Sequence, residues 1–257
     1  MKIATLVLVA LTLAPAGADA QDFRWHGVMA KGKILEVRGI NGPIRATRAS
    51  GSEAEVVATR QARKSDPASV EIKMLEDNGN VTVCAVYPTG GGRRGNECRP
   101  GGGNDGESRD NDVEVTFEVR LPAGVEFRGA TVNGDITARD LDGKASLATV
   151  NGDIDVETGG VAEGTTVNGS ITARLGRADW GRSLKFTTVN GGIRVSLPRD
   201  ASTEVEATTV NGTVESDFPI TVQGHLHSGS IRGRIGDGGR SLDLTTVNGS
   251  IRLERRS

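Results

Sequence analysis

Hydrophobic and polar residues alternate along the second half of this chain in short, recurring blocks. The block Thr131-Val132-Asn133-Gly134-Asp135-Ile136 sets the pattern, and its first four residues return unchanged at Thr149, Thr166, Thr188, Thr209 and Thr246. After each block an apolar slot is held by Ile136, Ile154, Ile171, Ile193, Val214 and Ile251, with Ile231 in a weaker copy. Two positions on come Ala138, Val156, Ala173, Val195, Ser216, Gly233 and Leu253, small or apolar almost throughout, whereas the intervening position is Thr137, Asp155, Thr172, Arg194, Glu215, Arg232 and Arg252. Period-two alternation of this kind predicts strands with one face in a core and the other in water.

Recurrence at about twenty residues is the signature of a repeat protein. Set in register on Asn133, Asn151, Asn168, Asn190, Asn211 and Asn248, the copies step by 18, 17, 22, 21 and 37 residues. A degenerate copy, His227-Ser228-Gly229-Ser230-Ile231, divides the last step, with Ser228 in the asparagine slot. Seven units therefore run to the C-terminus.

Two architectures fit a unit of this length. Asn-Gly between apolar residues is a strong hairpin signal, because both residues tolerate positive φ, and on that reading the chain is an antiparallel β meander. On the other, each unit is one coil of a right-handed parallel β-helix, a β-solenoid whose equivalent residues stack about 4.8 Å apart. The outward charges favour the solenoid. Three residues after the apolar slot come Arg139, Glu157, Arg174, Ser196, Asp217, Arg234 and Glu254, a series without like neighbours, and opposite charges on adjacent strands attract. The asparagines Asn133, Asn151, Asn168, Asn190, Asn211 and Asn248, with Ser228, would then form a structural ladder, each amide donating to the next.

The remaining chain is organised around this array. Residues 1–20 read as a secretory signal peptide: Lys2, an apolar run from Ile3 to Leu13, then Ala18-Asp19-Ala20 before Gln21. That run is too short to span a bilayer. Residues 21–112 read as irregular N-terminal β coils and 113–257 as the regular repeats. An early coil spans Gly32 to Arg48, where Pro43 replaces the aspartate; lacking an N–H, it predicts an edge. Strand-like runs follow at Glu53 to Thr59, Val70 to Leu75 and Val81 to Tyr87. Residues 88–112 turn to glycine and charge, too poor in apolar surface to order, and read as a mobile surface loop.

The stretch Val115-Thr116-Phe117-Glu118-Val119-Arg120-Leu121-Pro122-Ala123-Gly124-Val125, followed by repeated Val-Asn-Gly-Asp/Ser-Ile units, resembles the bacterial "putative adhesin" family of exported β-strand-repeat proteins, a domain family of unknown function. The resemblance covers roughly Gly32 to Glu254 and implies a parallel β-helix outside the cytoplasm. Family patterns place serine where this chain has asparagine, so the asparagine ladder is a departure. No functional residues carry over.

Composition narrows the chemistry. Gly accounts for 36 of 257 residues and aromatics for 3%, which leaves little for an aromatic binding platform. The formal charge of −2 gives no electrostatic reason to bind nucleic acid or an anionic membrane. Cys84 and Cys98 are an even pair in a chain read as exported, which predicts a disulfide. Asp135 and Asp153 hold one slot in adjacent coils, so stacking would bring their carboxylates about 5 Å apart, as in retaining glycosidases; they point the same way instead of flanking a bond. His225 and His227 can begin a zinc site but lack a third ligand. Asp105, Glu107, Asp110 and Asp112 have neither the EF-hand nor the Gly-Gly-x-Gly-x-Asp spacing for calcium. Nucleophile-elbow, metalloprotease and P-loop signatures are missing. The expectation is a non-catalytic, cofactor-free scaffold that binds an envelope polymer, surface or protein; the alternative is a carbohydrate-active β-helix enzyme.

Overall fold

The computed structural model describes residues 22–88, 97–101, 110–178, 180–181, 183–222 and 229–256; the expected signal peptide lies outside them. Those residues form two sheets of ten and eleven strands and one 3-10 turn, Pro67–Ser69. Each Thr-Val-Asn-Gly block is the corner at which the chain leaves one sheet for the other. In the Asn151 coil, for example, Ala145–Ala148 of one sheet is followed by Ile154–Thr158 of the other. Successive corners stack in parallel, and the apolar slots meet in the order Ile136, Ile154, Ile171, Ile193, Ile251. The fold is a β-solenoid, not a meander.

Alternation explains the core. Ile154 and Val156 are buried and Asp155 and Glu157 lie outside; the same holds in the neighbouring coils, where Ile136, Ala138, Ile171, Ala173, Ile193 and Val195 fill the space between the sheets. Towards the N-terminal end of the stack the core is filled by Phe117, Phe127 and Tyr87. Burial pushes the Tyr87 hydroxyl well above the usual tyrosine range. Its hydrogen is used at the Val113 carbonyl, 2.8 Å away.

Coil order departs from chain order at both ends. The last coil, Ser241–Asn248 and Ile251–Arg255, is wedged between the Asn190 coil and the Asn211 coil. The expected degenerate copy does not stack in parallel: Ser230–Ile235 runs antiparallel to Thr203–Asn211, with Ile231 opposite Ala207. The sequence accounts for the exchange. Positions 226–229 read Leu-His-Ser-Gly and lack the threonine and asparagine that neighbouring corners bind, whereas Thr246 and Asn248 supply both.

At the other end the coil of Ile34–Arg38 and Ile44–Arg48 is interior, not an edge. It lies between Glu126–Ala130 and Asn80–Val86 in one sheet and between Ile136–Leu141 and Glu114–Leu121 in the other. Pro43 is tolerated because the N–H of its slot is not part of the backbone ladder; in later coils it bonds a neighbouring side chain, as Asp153 N does with Asp135 Oδ1. Antiparallel strands close this end: Phe23–Val28 and Glu53–Gln61 on one sheet, Glu71–Asp77 on the other. Antiparallel strands occupy three of the four sheet edges, which would otherwise template further coils, and Val214–Ser216, parallel to its neighbour, forms the fourth.

The outward charge series keeps its register on one side of Glu157 and loses it on the other. A left-handed Asp140 (φ 56°) bulges the strand and breaks its register with the next coil after Val156. Glu157 stands opposite Arg174 in the next coil, yet the carboxylate bonded to both Arg139 and Arg174 is Asp155, at 2.6 and 2.7 Å, while Glu157 pairs with Arg256 at 2.7 Å.

Candidate functional site

Three side chains of each corner repeat so closely that the corners form continuous rows. The threonine points inward: Thr131, Thr149, Thr166, Thr188, Thr209 and Thr246 are all buried. Each hydroxyl donates to the corner glycine carbonyl of the neighbouring coil, from Thr131 on Gly42 at 3.2 Å to Thr209 on Gly249 at 2.7 Å. A buried hydroxyl needs such a partner. The glycine follows from close approach: a Cβ on Gly169 would stand 2.0 Å from the Gly152 carbonyl oxygen. Any side chain there would push the coils apart.

The asparagines form a one-directional ladder. Asn133 donates to Asn41, Asn151 to Asn133, Asn168 to Asn151, Asn190 to Asn168, Asn248 to Asn190 and Asn211 to Asn248, all at 2.7 to 2.9 Å. Asn41 of the early coil is thus a member, and Asn248 precedes Asn211 in space. Ser228, His225 and His227 lie outside the described residues, as do Asp105 and Glu107. The buried threonine row escaped the sequence reading, although the unvarying first residue of every block was its visible sign.

Valine points outward. Val150, Val167, Val189 and Val247 are 36–38% exposed and Val210 is 70% exposed. Beside them runs the asparagine ladder, then the slot of Asp135, Asp153, Ser170, Gly192, Ser250 and Thr213. From the Asn168 coil to the Asn211 coil, the valine, asparagine and following slots carry no charge, in a chain of which 25% is charged. Charge depletion over contiguous surface marks contact regions, as does a row of exposed apolar groups. The carboxylates of Asp135 and Asp153 bridge coils: Asp135 Oδ1 accepts from Asp153 N at 2.8 Å and Asp153 Oδ1 from Ser170 N at 2.7 Å.

The opposite corner holds an open groove of about 360 Å³ lined in part by Lys31, Glu126, Asp142, Lys144, Arg177 and Trp180. Its charges are mixed and Lys144 is held by Glu163 at 2.9 Å, so no field of one sign singles out a ligand there.

The glycine-rich segment is anchored where it is described. Cys84 and Cys98 are joined by a disulfide, Arg38 Nη1 reaches the Arg99 carbonyl at 3.0 Å, and Gly101 N donates to Glu36 at 2.8 Å. Its far end is held by Asp112, whose carboxylate accepts the backbone N–H of Arg63, Lys64 and Ser65 at 2.8 to 3.2 Å. Those donors, Ser65 foremost, lower its pKa to about 2. Among the described residues no three His, Cys, Asp or Glu side chains converge as metal ligands.

A two-sheet β-solenoid with a repeated Thr-Val-Asn-Gly corner defines a class of repeat proteins. The family model described as Toastrack DUF4097 matches residues 108–254, more than half of the chain, and the chain belongs to that family. No curated protein matches it. Among solved structures the chain is similar to a "putative cell adhesion protein" from Clostridium sporogenes, at 12% identity and a TM-score of 0.46 over 92% of this chain and all of that one. A "putative adhesin" from Bacteroides fragilis is 10% identical, with a TM-score of 0.36 over 92% of this chain and 98% of that one. A "putative lipid binding protein" from Parabacteroides distasonis is also 10% identical, with a TM-score of 0.26 over 93% and 98%.

Proposed function

We propose that the protein is a non-catalytic, exported scaffold of the cell envelope that binds an extended partner, an envelope polymer or surface, along the valine–asparagine ridge. One observation carries the reading: coil after coil presents the same isopropyl and carboxamide groups in an uncharged row. Neither group gains or loses a proton near neutral pH, so the row offers contact area and hydrogen bonds without acid–base or nucleophilic chemistry. Each interior carboxamide uses one N–H and one oxygen lone pair in the ladder, leaving one of each for a ligand. The spacing of about 4.8 Å suits a partner that is itself long and regular. The resemblance to adhesin-like proteins and the signal-like first twenty residues support export.

The alternative, a carbohydrate-active enzyme, needs a free carboxylate pair, and Asp135 and Asp153 are engaged in bonds between coils. The experiment is affinity electrophoresis of the purified protein through gels containing neutral or acidic polysaccharides, with reducing ends assayed in parallel. The expected result is retardation without new reducing ends, lost in Val189→Glu, which places a charge in mid-ridge. Release of reducing ends overturns the reading, and so does retardation that Val189→Glu leaves unchanged.

A further inference from the structure

The chain contains eight Asn-Gly pairs: seven in the ladder, at Asn41, Asn133, Asn151, Asn168, Asn190, Asn211 and Asn248, and one at Asn78. Asn-Gly is the dipeptide most prone to spontaneous loss of the side-chain amide, because glycine offers no side chain to hinder attack by its own backbone nitrogen. Eight such pairs in one chain would be a chemical liability unless the fold restrained them.

Restraint is uneven. In six ladder pairs the glycine N–H that must attack is committed to the asparagine carbonyl of the adjacent coil, from Gly42 on Asn133 at 2.8 Å to Gly249 on Asn211 at 3.0 Å. In five of those six, the carboxamides of Asn133, Asn151, Asn168, Asn190 and Asn248 are each bonded to a neighbouring carboxamide on both sides. Asn211 ends the row. It donates to Asn248 at 2.7 Å, but among the described residues no group donates to its Oδ1 and the Gly212 N–H has no acceptor. The valine before it is 70% exposed, against 36–38% in the neighbouring coils.

Asn78-Gly79 is a different structure. It is the two-residue turn of a hairpin, with Asp77 opposite Asn80 and φ of 51° and 75°, a type I′ turn. Asn78 Nδ2 bonds only to the adjacent Asp77, at 3.0 Å, and the Gly79 N–H likewise has no acceptor among the described residues.

We infer that, of the eight Asn-Gly pairs, Asn78 and Asn211 are the two that modify themselves and that stacking silences the other six. The backbone nitrogen of Gly212 attacks Asn211 Cγ. A C–N bond forms, the Cγ–Nδ2 bond breaks, and the amide proton leaves with the departing nitrogen as ammonia. Water then opens the cyclic imide at either carbonyl, giving aspartate or isoaspartate, without any oxidant or reductant. The same steps apply at Asn78. At Asn211 the product removes the donor to Asn248 Oδ1 and puts a carboxylate at the end of an uncharged ridge. The isoaspartate form also lengthens the backbone by one carbon and breaks the register of the end coil.

The test is site-resolved peptide mapping by mass spectrometry of the full chain, kept native in mildly alkaline buffer, beside the same chain held unfolded in denaturant. Unfolded, all eight pairs should react at similar rates. Native, Asn78 and Asn211 should react within a few-fold of their unfolded rates, and the other six should slow by about a hundredfold or more, since they need a local opening of the stack. Uniform native reaction at all eight sites overturns the inference. So does native Asn211 as slow as Asn168, or no native reaction anywhere.

Discussion

In the middle of the stack each Thr-Val-Asn-Gly corner meets a copy of itself on both sides, while at the two ends the chain turns antiparallel and the same Asn-Gly dipeptide behaves differently. From the Asn41 coil to the Asn248 coil it turns a corner, with the glycine amide bonded across to the next coil. At Asn78-Gly79 it turns a hairpin, with both residues at positive φ. The dipeptide is the same; what differs is its flanks. Thr-Val before and an apolar residue two positions after place a buried hydroxyl and a core side chain where the neighbouring coil can bind them, whereas Asp77 and Asn80 pair with each other across the turn. The middle is therefore held by reciprocal bonds, and the antiparallel strands that flank it offer no matching corner.

The largest test of that contrast is in the core. Ile171 is fully buried with Ile154 and Ile193 in register on either side, so Ile171→Ala should cost about 2 to 5 kcal/mol. Val214 holds the same slot in the Asn211 coil but pairs on one side only and is partly exposed, so Val214→Ala should cost about 1 kcal/mol. Denaturant unfolding of both variants reads the difference. A smaller loss is expected at the N-terminal end, where the disulfide closes a short loop with a sequence separation of 14: Cys98→Ser should lower stability by up to about 3 kcal/mol, measured by the same unfolding curves.

Charge effects should be weaker still. Asp155→Arg would leave three guanidinium groups in a row where Arg139 and Arg174 now share a carboxylate at 2.6 and 2.7 Å. Because the partners are solvent-accessible, the loss should be about 1 kcal/mol and should shrink as salt is added; thermal melts at low and high ionic strength check it. The smallest effect is at Asp112. Its pKa is depressed from the ordinary 3.8 to about 2, so its contribution is present above the unfolded value and is lost as pH falls from about 4 towards 2. Carboxyl NMR of Asp112 should give a midpoint near 2, and Asp112→Asn should remove the pH dependence assigned to it.

Much of the fold was legible because the repeat is nearly exact. The apolar slots, the outward positions and the asparagine row follow from period-two alternation, and the core between Ile136 and Ile193 lies where that alternation predicts. The order of the coils was not legible, because spacing along the chain says nothing about which corner a coil binds. Thr246 and Asn248 carry both ladder groups, and positions 226–229 carry neither, so chemistry and not adjacency sets the neighbours. Pro43 misled for a related reason: a missing N–H matters only where that N–H would enter the backbone ladder. The charge series placed Glu157 opposite Arg174 correctly but missed the loss of register towards Arg139, because the bulge at Asp140 is invisible to a count of residues. The threonine row was overlooked because a polar residue beside a turn reads as solvent-facing until a buried carbonyl is found for it.

The coil order is the claim on which the ridge, the ladder and its reactive end all depend, and paired cysteines in the outward valine row test it directly. Adjacent parallel strands lie about 4.8 Å apart and strands two removed about twice that, while a disulfide needs Cα atoms within about 7 Å. Under mild oxidation the variant Val189→Cys/Val247→Cys should form a crosslink in the native protein, and Val189→Cys/Val210→Cys should keep free thiols at those positions. Crosslinking of the Val189/Val210 pair instead would place the coils in chain order and contradict the account.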